Sequence, residues 1–124
     1  MLEQAGVEVV GEAFDGHGAI EVTMRERPDV CILDVSMPDG GLVAAEEIAR
    51  ILPKTRVVML TVSESEEHVL AAIRAGASGY LLKQADPERL PLVIRAVAAG
   101  EPVFPPHLIR RLREKIGQSA AAPG

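Results

Sequence analysis

Three polar residues close three apolar runs. Asp34 ends "CILD", Thr61 ends "VVMLT" and Lys83 follows "GYLL". They stand 27 and 22 residues apart, about one strand-plus-helix unit each. A carboxylate at the tip of a buried strand is costly unless a partner offsets its charge. A carboxylate, a hydroxyl and an ammonium at one rim suit phosphoryl transfer. The carboxylate can attack phosphorus and form an acyl phosphate, and the hydroxyl and lysine can hold the phosphoryl oxygens. A divalent cation such as Mg2+ would ordinarily assist, because phosphate and carboxylate oxygens are hard ligands.

The elements that must position these groups can be read from periodicity. "VEVVGEAF" (7–14), "DVCILDV" (29–35), "RVVMLTV" (56–62) and "GYLL" (79–82) have the β-branched, apolar character of strands. Between them lie helical patterns. Ala19–Arg27 places Ile20 and Met24 on one face and ends at Pro28. Leu42–Leu52 carries Leu42, Ala45, Ala49 and Leu52 on one stripe. Glu66–Ala75 turns Val69, Leu70 and Ile73 inward and closes at Gly76. Asp86 is expected to cap a fourth helix with Pro87 at its first position, and Pro91 to cost it one backbone bond or a kink. "EPVFPP" reads as a stiff linker, His107–Ile116 as a short helix and "GQSAAAPG" as a flexible tail.

Strand–helix alternation predicts a parallel sheet with helices on both faces, and its sites form at the strands' carboxyl ends. The expected domain is 1–104, with linker and tail over 105–124. At 124 residues and 48% hydrophobic, the chain can bury one core. A net charge of −5 argues against non-specific nucleic-acid binding. No apolar run is long enough to span a membrane. One cysteine, Cys31, cannot form an internal disulfide, and it reads as a small core residue in a reducing, cytoplasmic setting. His17, His68 and His107 have no metal-ligand spacing and read as surface residues. Asp15 and Asp39 read as turn formers rather than metal ligands. The basic cluster Arg110, Arg111, Arg113 and Lys115 contains Glu114 and reads as a solvated helix face.

"DVSMPDGG", "VVMLT" and "GASGYLLK" resemble the receiver domain of two-component response regulators, a flavodoxin-like, CheY-like α/β fold. "AIRAGASGYLLKQADPERLPLVIRAVAAGEPVFPP" resembles the NarL/FixJ (LuxR-type) subfamily more narrowly. The resemblance runs from Leu2 to Pro106 and rests on the joint pattern rather than on any one piece. It implies that Asp34 is the phosphoacceptor and that Asp34 and the backbone carbonyl of Ser36 serve Mg2+. Thr61 would be the switch hydroxyl, Lys83 the phosphate partner and Tyr80 the aromatic switch. Pro38 and Gly40 would shape the loop, and Val62 would narrow access to the phosphoryl group. The implied partner is a sensor histidine kinase. The chain would be a phosphoacceptor, not an enzyme beyond its own phosphorylation and dephosphorylation.

The chain also departs from the resemblance. The family's first strand, most of its first helix and the acidic pair that holds the metal have no counterpart, so Mg2+ binding is expected to be weakened or lost. That strand sits mid-sheet, so its absence exposes edges on 7–14 and 30–35. Three outcomes are expected: the 7–14 strand slides across, a second copy or partner fills the gap, or the sequence is a fragment. A homodimer is expected, through the vacant position or through the 66–99 surface. No output domain and no DNA-reading element is expected within these residues. Two rival readings stand: a pseudo-receiver acting only as an interaction module, and a haloacid-dehalogenase-type hydrolase. The second wants a carboxylate where Ser36 stands.

Overall fold

The computed structural model describes residues 6–38, 40–107, 109–111 and 113–114. Its elements run α1 (Gly16–Glu26), β1 (Val30–Asp34), α2 (Gly41–Ile51), β2 (Arg56–Thr61), α3 (Glu66–Arg74), β3 (Gly79–Leu82) and α4 (Arg89–Ala98). The strands form a parallel sheet in the order β1-β2-β3.

Side chains alternate across this sheet because strand residues point to opposite faces in turn. Leu33, Val57, Met59 and Tyr80 pack on one face with Ala44, Ala45 and Ile48 of α2, Val69 and Ala72 of α3, and Ala19 of α1. Val58 and Leu81 pack on the other with Val93 and Val97 of α4, flanked by Val30, Ile32 and Leu60. Helices therefore cover both faces, as the apolar runs of the strands require. With one tyrosine and two phenylalanines in the chain, this core is made of small branched side chains.

The helix starts follow local chemistry. Asp15 caps α1, its Oδ1 accepting from Gly18 N at 2.7 Å, so this turn aspartate has a definite local role. Ser65 caps α3 in the same way through His68 N.

Several expectations need correction. Residues 7–14 do not form a strand, and they do not slide across to pair with β1. Strand-forming residues need a ladder partner, and none lies beside this segment among the described residues. Helix α1 starts at Gly16, ahead of the expected Ala19, because Asp15 caps it. Helix α4 starts at Arg89, not at Pro87. Asp86 instead builds the preceding turn, accepting from Glu88 N at 3.0 Å and Arg89 N at 2.9 Å. Pro91 is thus the third helical residue, where the missing N–H had no intrahelical acceptor to lose. The buried stripe of α2 is Ala44, Ala45 and Ile48, and Ile73 of α3 faces outward.

"EPVFPP" is more than a linker. Val103 bridges Gly79, its N–H donating to Ser78 O (3.0 Å) and its carbonyl accepting from Tyr80 N (2.8 Å). Residues 106, 107, 109–111, 113 and 114 are helical, and Arg111 lies 3.4 Å from Glu66 of α3. The rest of the expected 107–116 helix and the tail fall outside the described residues, as does Asp39.

Candidate functional site at the carboxyl rim

Register assembles the site. Asp34 pairs with Leu60, and Thr61 pairs with Leu82. The next steps of the ladder are Val35 N to Leu60 O (2.9 Å) and Lys83 N to Thr61 O (2.8 Å). Asp34, Thr61 and Lys83 therefore leave the sheet at one edge. They line a common 140 Å³ pocket with Val35, Ser36, Val62, Ser63 and His68.

Asp34 is held on both oxygens. Lys83 Nζ lies 2.6 Å from its Oδ2 and also donates to Ser36 Oγ at 3.1 Å. Ser36 N (2.9 Å) and Ser36 Oγ (2.7 Å) both donate to Oδ1. Burial acts to raise the Asp34 pKa. The hydrogen bonds from Lys83 and Ser36 and the lysine's charge outweigh it and hold the carboxyl below its usual value. The group is thus ionised at neutral pH. Ser36 enters the site through its N–H and hydroxyl, contacts that a reading confined to its carbonyl had missed.

Thr61 is buried, and its hydroxyl accepts from Ser63 N at 3.2 Å and faces Ser63 O at 3.4 Å. Tyr80 is buried too, and its hydroxyl donates to that same Ser63 carbonyl. Burial pushes the Tyr80 phenol up, so it stays a donor. Ser63 also donates to or accepts from His68 Nδ1 at 2.8 Å, and Ser65 Oγ lies 3.0 Å from the same nitrogen. The β2–α3 loop is thus tied to both Thr61 and Tyr80 through Ser63.

Sequence reasoning missed Ser63 and His68. His68 is exposed, as expected of a surface histidine, yet it forms one wall of the pocket. No spacing signal marks it, because helix phase and the Ser65 cap place it. Gly41 was also missed. A Cβ there would meet the Asp34 carbonyl at 2.2 Å, so only glycine lets α2 begin against the site. Val62 is exposed and stands at the pocket mouth. His17 pairs with Glu21 on the surface, and His107 is exposed. Cys31 lies in β1 with its Sγ 3.5 Å from Thr23 Oγ1, and burial raises its pKa.

The residues fit Mg2+ poorly by themselves. Asp34 is one carboxylate with both oxygens engaged, and no three His, Cys, Asp or Glu side chains gather among the described residues. Mg2+ asks for near-octahedral oxygen coordination. Among the described residues no helix is long and apolar enough to cross a membrane.

A doubly wound parallel sheet with an aspartate, a hydroxyl and a lysine on its carboxyl rim defines a CheY-like α/β module. The chain belongs to the response regulator receiver domain family, whose sequence profile matches residues 1–95. It is 48% identical over 102 residues to the transcriptional regulatory protein YxjL of Bacillus subtilis, covering 82% of this chain and 47% of that protein. It is 43% identical over 100 residues to the oxygen regulatory protein NreC of Staphylococcus haemolyticus, covering 79% and 46%. The chain thus spans about half the length of the curated relatives it matches. Among solved structures, a LuxR-family response regulator from Aurantimonas superposes with TM-score 0.77 at 31% identity, covering 86% of this chain and 77% of that one. The receiver domain of the NarL regulator from Mycobacterium tuberculosis superposes with TM-score 0.77 at 33% identity, covering 81% and 82%.

Proposed function

We propose that this receiver domain accepts a phosphoryl group on Asp34 from the phosphohistidine of a sensor kinase. The observation that carries the reading is the ionised Asp34 lying 2.6 Å from Lys83 in a pocket shared with Thr61. An Asp34 carboxylate oxygen attacks phosphorus as the phosphorus–nitrogen bond breaks. The electron pair leaves with the imidazole nitrogen. Lys83 then neutralises phosphoryl charge, as preorganised cations do in such transfers. Thr61 turns its hydroxyl from Ser63 toward the new oxygens. Because Tyr80 and Thr61 share Ser63, that turn shifts the β2–α3 loop and the α3, β3 and α4 surface, which governs association. The setting is the cytoplasm, where sensor kinases present their phosphohistidine. The chain acts as a phosphoacceptor rather than as an enzyme with a separate substrate, and these residues do not bind DNA directly.

One observation favours a second reading, an interaction module that is never phosphorylated: a lone carboxylate makes a thin metal site. Intact mass after incubation with acetyl phosphate and Mg2+ decides. The first reading expects a phosphoryl adduct on the wild type and none on Asp34→Asn. A folded wild type that stays unmodified selects the second.

A further inference from the structure

The pocket at the rim has two walls of different character. Lys83 and Ser36 touch Asp34 and hold its carboxylate. Thr61, Val62, Ser63 and His68 complete the lining, from the end of β2, its loop and the first turn of α3. The cavity measures about 140 Å³. One water takes up about 30 Å³, so a phosphoryl group on Asp34 leaves room for a water beside it.

His68 is exposed, yet its ring is fixed. Ser63 Oγ lies 2.8 Å and Ser65 Oγ 3.0 Å from Nδ1. Two oxygens on one nitrogen suit a single Nδ1–H shared between them, since both serine hydroxyls can accept. The hydrogen bond at one ring nitrogen sets the state of the other. Nε2 is then left with a free lone pair. Thr61, Val62 and Ser63 offer no base beside it, and Lys83 is committed to Asp34. Among the lining residues, imidazole alone is of a type that changes charge near neutral pH.

We propose that His68 is the general base for hydrolysis of the Asp34 acyl phosphate, so that this residue sets how long the phosphorylated state lasts. The inference rests on Asp34 being the phosphoacceptor. In-line displacement puts the attacking oxygen opposite the leaving one. With Ser36 and Lys83 on the carboxylate, the β2–α3 wall is the side left for it. The water oxygen attacks phosphorus, and its proton passes to Nε2. The phosphorus–oxygen bond to Asp34 breaks, and the electron pair returns to the carboxylate. Inorganic phosphate leaves, and the imidazolium gives its proton to solvent. A positioned base of this kind contributes about 10²–10⁴-fold.

For the test, wild type, His68→Asn and His68→Gln are loaded with acetyl phosphate and Mg2+ and then freed of the reagent. Decay of the adduct is followed by intact mass across about pH 5 to 8, where imidazole titrates. Asparagine keeps a hydrogen-bonding atom near the place of Nδ1, so the Ser63 contact survives while the base is lost. Glutamine reaches the place of Nε2, where an amide can orient water but cannot take its proton. The phosphoryl oxygens also titrate, and both variants keep that contribution. The Tyr80 phenol stays protonated through this range. Lys83, Glu64, Glu67 and the Glu66–Arg111 pair are common to all three proteins.

Wild-type decay should quicken as pH rises and then level off. In both variants the half-life should lengthen about a hundredfold, the low end for a lost general base, and the rise should vanish. Four results overturn the proposal: equal lifetimes in wild type and His68→Asn, slow decay with the rise retained, a wild-type lifetime restored by glutamine, or the phosphoryl group recovered on His68 itself. A wild type that takes up no phosphoryl group overturns the Asp34 reading as well, and the missing adduct tells that failure apart.

Discussion

Asp34 keeps its charge because three donor atoms from two side chains and one backbone converge on it. The pair with Lys83 is about one-third exposed on each side, so water screens it. Lys83→Ala should therefore cost only ~0.2–1 kcal/mol by urea denaturation. Its larger effect is on titration. The folded-state pKa of Asp34 lies below the ordinary value of 3.8. A depressed carboxylate contributes stability above its unfolded value and loses it as pH falls through the folded one. Wild-type stability should thus decline below about pH 4 in part through this group. In Lys83→Ala that part shrinks, and carbon-detected NMR titration should show the Asp34 pKa moving up. An unchanged pKa in the variant would mean that Ser36 alone depresses it. The three rim residues were legible because each ends an apolar run. Ser36, Ser63 and His68 were not, because loop geometry rather than periodicity brings them in.

At the scale of elements, two glycines let helices pack closely, Gly41 against the site and Gly76 against α2. Gly41 lies at the first turn of α2 and is buried against the Asp34 carbonyl. Gly41→Ala must push α2 or the Asp34 backbone aside, at ~1–3 kcal/mol for such overpacking. The shift should also loosen the Ser36 donors, so the Asp34 pKa should return toward 3.8. Gly76 has φ +92°, and a Cβ there would meet that of Ala49 at 2.7 Å. Gly76→Ala joins backbone strain to a clash and should cost about 2 kcal/mol or more, read from the urea midpoint, with the Asp34 pKa unmoved. Together the two variants separate a helix contact that serves the site from one that serves only the fold. Strands β1, β2 and β3 and helices α2 and α3 were legible to within a residue or so, since their apolar runs and stripes are clear in the sequence. The 7–14 segment was misread for a physical reason. Val7, Val9 and Val10 have strand propensity, but that propensity is realised only against a ladder, and the segment pairs with no strand among the described residues. The start of α4 was misread because Asp86 can build either a cap or a turn, and the choice is made by Glu88 N and Arg89 N.

Across the whole molecule, the order of layers implies an order of stability. Strand β2 is paired on both sides, and Val57, Val58 and Met59 are fully buried. Strand β3 is paired with β2 and bridged by Val103 on its other side. Strand β1 is paired on one side only. The 7–13 segment pairs with no strand among the described residues, with Val9 and Val10 more than 40% exposed. Local opening costs less where fewer buried contacts and ladder bonds must break. Native-state amide exchange should therefore rank β2 first, then β3, then the bonded amides of β1, with 7–13 exchanging nearly freely. Val30 and Ile32 should exchange much faster than Cys31 and Leu33 in the same strand, because alternate amides point to opposite sides. A β1 with uniform protection would mean that its outer edge is already paired in solution. A protected 7–13 would mean that this segment has found a ladder. Either result would move the free edge.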